Sequence, residues 1–198
     1  MAAKPERRDA ALLYVELRNF TRLSEVLQPD KVLDLANEFF SLASRVVVAG
    51  AGNVVSVHND SLLASFVEGD AQKFNEAALT TARSIRGEFG TVGDRWQREY
   101  GLAAAVSLGL HTGEALFGMA GPLGAQQFVA FGDCVSVAER LVHRARAGEI
   151  VISLDVMKAL GAAVETLGAE ELPVLELGGK RPPLPIYGMV LETRLDFT

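Results

Sequence analysis

Residues 57–66, VHNDSLLASF, place one carboxylate, Asp60, at the tip of a tight turn between two short apolar runs. Asn59 suits the turn, because a short polar side chain tolerates the left-handed backbone that a tight hairpin requires. An acid in that position bonds its own backbone or faces outward to do chemistry, and this stretch alone leaves both roles open. The other reactive side chains are sparse. His58 and His143 have no partner at metal-ligand spacing, His111 in LHTG reads as a packed strand end, and no nearby histidine would activate the single Cys134. Arg140 lies in VAERLVHRAR, where solvated helix surface is the plain reading. Lys180 and Arg181 form a basic pair beside prolines, a pattern of exposed loops.

The elements that must hold these residues follow from hydrophobic spacing. ALLYVEL is an apolar run of strand length, and RNFTRLSEVLQPD after it reads as a loop or short helix ending at Pro29. In KVLDLANEFFSLASRVVV, residues Val32, Leu35, Phe39, Leu42 and Val46 recur at three and four, which predicts an amphipathic helix stopped by Gly50 and Gly52. NVVSV and LLASF predict a hairpin around Asn59-Asp60. Residues 70–89, with Phe74, Ala78, Leu79, Ala82 and Ile85 on one side, predict a second helix. LAAAVSLGLHTG, EALFGMAG and QQFVAF have strand character, and CVSVAERLVHRARAG is a helix stopped by Gly148. The tail alternates strand EIVIS, helix LDVMKALG, strand AVETL and strand PIYGMVL. GGKRPPLP is expected as a loop, since Pro182, Pro183 and Pro185 do not fit a central strand. This order predicts an α+β fold with a β-α-β-β-α-β, ferredoxin-like core and a mainly antiparallel sheet. We expect a flexible tail over 1–9, one domain over 10–192 and a C-terminal tail over 193–198.

Composition narrows the function classes. The chain has 198 residues, 49% hydrophobic, with 19 basic against 25 acidic side chains and a net charge of −6. That balance argues against broad binding to nucleic acid or anionic membranes. A single cysteine permits no internal disulfide and fits a reducing, cytoplasmic compartment. The apolar run after the basic N-terminus is cut at Glu16, which is unlike a signal peptide.

Taken in order, YVELRNFTRLSE, GNVVSVHNDSLLASF, LGLHTGEALFGMAG and FVAFGDCVSVAERL, with LGGKRPPLPIY near the end, resemble the successive motifs of class III adenylate and guanylate cyclase domains. The resemblance runs from about residue 11 to 190. It implies a homodimer or pseudo-dimer with active sites between two chains, where a nucleoside triphosphate becomes a 3′,5′-cyclic nucleotide and pyrophosphate. Two carboxylates of one chain hold two metal ions, Mg2+ or Mn2+, and those positions fall on Glu16 and Asp60. The base-reading positions fall on Ser56 and Val129, and the transition-state pair on Ser136 and Arg140, all from the other chain. Asn19, Phe20 and Thr21 after the first strand, with Lys180 in the tail loop, are the phosphate-binding candidates.

The match keeps the scaffold and alters the chemistry. Glu16 stands where the family has aspartate, Ser56 and Val129 fit neither the adenine-reading nor the guanine-reading set, and Ser136 replaces an asparagine. Asn19 and Asn59 replace glycines. Glu16 therefore reads as a longer metal ligand or as a polar end to the first strand. If Glu16 and Asp60 are both unpaired and close, they repel when ionised, and a divalent cation, manganese above magnesium, would relieve that. The expected function is a silent or nearly silent cyclase-homology module that dimerises or binds a signalling partner. The alternative is an active metal-dependent nucleotidyl cyclase with altered base preference. An RNA-binding role is disfavoured by the acidic charge and the lack of a stacking strand.

Overall fold

The computed structural model describes residues 4–161, 163–178 and 181–190. Its spine is β1 (Glu6–Arg18), which pairs antiparallel on both flanks. On one side lies β3 (Ser61–Phe66), joined to β2 (Asn53–His58) by the Asn59-Asp60 turn, and on the other lies β4 (Ala105–Ala120). Beyond β4 come β6 (Ile150–Ser153), parallel to it, then β8 (Leu184–Met189) and β7 (Glu170–Leu175). The order is β2-β3-β1-β4-β6-β8-β7, with β5 (Gln127–Phe131) added to the far end of β4 as an arm. The order β2-β3-β1-β4 is the split βαβ arrangement expected from the sequence.

Alternation along β1 divides the molecule into two layers of side chains. Ala11, Leu13, Val15 and Leu17 enter the large core under α2 (Pro29–Ala49) and α3 (Ala71–Tyr100), among Phe39, Phe89 and Trp96. Ala10 and Leu12 face the opposite way, onto Cys134 and Ala138 of α4 (Asp133–Arg144). Helix α4 sits close because Gly109 of β4 has no side chain. A Cβ there would lie 2.7 Å from the Ala138 carbonyl oxygen and would also strike the Val142 amide. Short helices α1 (Phe20–Val26), α5 (Leu154–Leu160) and α6 (Val164–Leu167) complete the chain.

Several expectations change in detail. The strand starts inside the expected N-terminal tail, since Glu6–Asp9 pair with Phe117–Glu114. LAAAVSLGLHTG and EALFGMAG contribute to one long strand, β4, which runs through Gly113 to match the full length of β1. AVETL is the single-turn helix α6, closed by Gly168 at φ 61°, and the strand role passes to EELPVL. Pro185 lies within β8 after all. The ladder with β6 begins only at Ile186, so the missing amide of Pro185 interrupts no bond there. Among the described residues no helix is long and apolar enough to cross a membrane.

Candidate functional site

The Leu17 amide donates to the Asp60 carbonyl at 2.8 Å and extends the β1–β3 ladder by one step past Glu16↔Ser61. That bond fixes the hairpin tip beside the end of β1. Asn59 takes φ 49°, as its side chain permits, and Asn19 takes φ 66° where β1 turns into α1. The Asn19 amide donates to Ala103 O at 2.8 Å and anchors the loop across the sheet. Together these turns enclose an open depression of about 400 Å³. Its walls include Glu16, Arg18, Asn19, Phe20, Thr21 and Asp60. The structure thus brings together the two carboxylates and the three loop residues singled out by the sequence.

The carboxylates are not alike in their surroundings. The Glu16 side chain is 14% exposed and already paired: Arg18 Nη1 donates to Oε1 at 2.8 Å, and His143 Nε2 lies 3.4 Å from Oε2. This corrects the expectation of two unpaired, repelling acids. Asp60 is half-buried at the rim. Arg18 escaped the sequence reading, and His143 was given no role there. For Arg18 a signal existed, because residues two apart on a strand share a face. For His143 none did, since its partner lies across the fold.

The remaining candidates do not line this depression. Ser56 is exposed on β2, after a register shift between Val54 and Ser56. Val129 lies on the β5 arm, lining an apolar slot with Pro5, Leu116 and Phe131. Ser136 and Arg140 lie one turn apart on the exposed side of α4. The Arg140 guanidinium donates to the carbonyls of Glu176 and Leu177 at 3.2 and 3.0 Å. Arg181 pairs with Asp133, and Lys180 lies outside the described residues.

As a seat for two divalent ions, the donor set does not fit. Magnesium is held by one or two carboxylates, with waters and substrate phosphates supplying the other oxygens, so Glu16 and Asp60 would both have to be free, and among the described residues no larger cluster of histidine, cysteine or acidic side chains replaces them. One of the two carboxylates is also already committed to a guanidinium.

A family model described as the adenylate and guanylate cyclase catalytic domain matches residues 3–182. The chain is 31% identical over 137 residues to adenylate cyclase 1 of Rhizobium meliloti (strain 1021), covering 68% of this chain and 20% of that protein. It is 25% identical over 180 residues to retinal guanylyl cyclase 2 of Rattus norvegicus, covering 89% and 16%. The chain therefore spans about a fifth or less of these curated relatives. The crystal structure of the adenylyl cyclase CyaB from P. aeruginosa superposes with a TM-score of 0.87 at 22% identity, over 97% of this chain and 98% of that one. A non-canonical dimeric guanylyl cyclase domain of the RhoGC fusion protein from the aquatic fungus Blastocladiella emersonii gives 0.76 at 18% identity, over 94% and 98%.

Proposed function

We propose that this chain, which belongs to the adenylate and guanylate cyclase catalytic domain family, is a catalytically silent or nearly silent member that works as a homodimeric regulatory module. The observation that carries this reading is the state of the four positions a second chain would contribute. They present two short hydroxyls, Ser56 and Ser136, one valine, Val129, and an arginine whose guanidinium already donates to Glu176 and Leu177. A pocket that makes no polar contact with a base edge cannot select it by the roughly 10,000-fold that hydrogen bonding allows. Loss of one transition-state donor alone costs on the order of 100- to 1,000-fold in rate. The family generally uses divalent metal ions, and here Glu16 and Asp60 are the positions that would meet them.

A second reading, an active nucleotidyl cyclase with altered base preference, draws on one observation: Glu16 and Asp60 border the same depression as Asn19, Phe20 and Thr21. One assay separates the two. Pyrophosphate release is measured with the purified chain and each of the four ribonucleoside triphosphates, in magnesium and in manganese. We expect background rates throughout. Turnover that disappears in Asp60→Ala would replace the first reading by the second.

A further inference from the structure

Arg18 follows Glu16 by two positions on β1, and the fold holds its guanidinium from several sides. Nε donates to Ser107 Oγ at 2.6 Å and Nη1 to Glu16 Oε1 at 2.8 Å. Nη2 donates to the carbonyl oxygens of Val142, at 3.3 Å, and Ala145. Ser107 in turn donates to Arg146 O at 2.9 Å, which fixes its oxygen toward Arg18. Val142 and Ala145 belong to the C-terminal end of α4, where free carbonyls and the helix dipole concentrate negative partial charge. Glu16 adds a full negative charge from a side chain that is mostly buried. A carboxylate, a hydroxyl and two main-chain carbonyls facing one point make a cation site, and the chain fills it with its own arginine.

We propose that Arg18 is a resident counter-ion that keeps divalent metal off Glu16 and so accounts for the misfit of the metal positions; this rests on the family reading above. The competition favours the arginine for two reasons. Arg18 is tethered two residues from Glu16, so it acts at high effective concentration without losing translational freedom. An ion that displaced it would also strand a partly buried guanidinium among acceptors arranged for it, and an uncompensated charge in such a place is costly. Asp60 is left at the rim of a depression whose third lining acid, Glu25, stands 3.9 Å from Arg22, and one carboxylate is a weak ligand set for a hard divalent ion. The exchange of aspartate for Glu16 takes part in this arrangement, because the longer side chain is the one that meets Arg18 Nη1.

Calorimetric titration with manganese chloride alone, without nucleotide, tests the proposal on wild type, Glu16→Gln, Arg18→Met and Arg18→Met/Glu16→Gln. Wild type and Glu16→Gln should bind manganese equally weakly. Arg18→Met, checked for native circular dichroism, should bind at least about tenfold more tightly, a change of about 1.4 kcal/mol, and the double variant should lose the gain. A folded Arg18→Met that binds no better than wild type overturns the proposal. If Arg18→Met does not fold, the wild-type comparison decides: manganese binding that Glu16→Gln removes refutes the proposal, and equal binding upholds it. The outcome is separable from the assay for pyrophosphate, since wild type could bind manganese through Glu16 and remain silent.

Discussion

His111 shows how a single buried group sets a pH dependence. It is 7% exposed on β4, and its Nδ1 shares a 2.8 Å hydrogen bond with Ser153 Oγ, the oxygen that also accepts from the Val156 amide to cap α5. Burial pushes the imidazole below its ordinary value of 6.5, against a smaller opposing pull from Asp155 and Asp133. The unfolded chain therefore binds this proton more readily than the folded one. The stability contributed by neutral His111 is complete above the unfolded value and is lost as pH falls through the lower folded value. The melting temperature should fall as pH drops below 6.5, the ordinary histidine value. His111→Asn should show a shallower slope, and an unchanged slope would assign the dependence to other groups. At this scale the sequence was half legible. Asn59 was readable as a left-handed turn residue, and Glu16 and Asp60 as residues of one site through the family register, whereas the left-handed turn at Asn19 was not read. The Arg140 contacts with Glu176 and Leu177 were not readable, because they join segments 36 and 37 residues apart.

Among the elements, α3 departs most from its sequence pattern. Its apolar stripe predicted a helix ending near Phe89, yet it continues through Gly87, Gly90 and Gly93 to Tyr100, where Gly101 at φ 67° closes it. Tertiary packing overrides the poor helix propensity of glycine here: Phe89 and Trp96 are buried, with rings 5.4 Å apart and edge to face. The three glycines are not equivalent. A Cβ at Gly87 meets nothing within 4 Å, while one at Gly93 collides with the Ala104 carbonyl oxygen. Gly87→Ala should stabilise the chain by about 0.5–1 kcal/mol through helix propensity and the unfolded-state entropy. Gly93→Ala should destabilise it by about 1–3 kcal/mol, as overpacking does. Urea unfolding of both variants checks the contrast, and equal effects of either sign would refute this account of the helix. Such close approaches leave no mark in a single sequence, and the same reason hides the seat of α4 on Gly109. Long amphipathic helices and the Asn59-Asp60 hairpin were legible because their periodicity is local. AVETL was misread because four residues are too few to distinguish one helical turn from a short strand.

For the whole molecule, the sheet carries α2 and α3 on one face, while the other is covered by α4 only over part of its width, and the β4–β5 arm projects beyond it. Exposed apolar side chains gather toward this open end: Met119, Phe128 and Phe131 on the arm. Phe128 stacks on Phe117 with ring centroids 6.1 Å apart and planes 13° from parallel, so the arm is held firm while nearly half of Phe128 faces solvent. Contiguous apolar surface of this kind marks an interaction site. A second copy is the occupant that fits the family resemblance, in which each site is completed across two chains, and here the Glu16–Asp60 depression lacks Ser56, Val129, Ser136 and Arg140 from its own walls. We expect a homodimer by sedimentation at micromolar concentration. Phe128→Glu should weaken it by about tenfold or more, as removal of a central aromatic anchor does, while leaving the circular dichroism unchanged. Val48→Glu, a change to an exposed residue of α2 on the opposite side of the sheet, should leave association intact. A wild-type monomer at high micromolar concentration would remove the dimer from the proposed function. Equal weakening by both substitutions would mean that the contact lies elsewhere than on the arm.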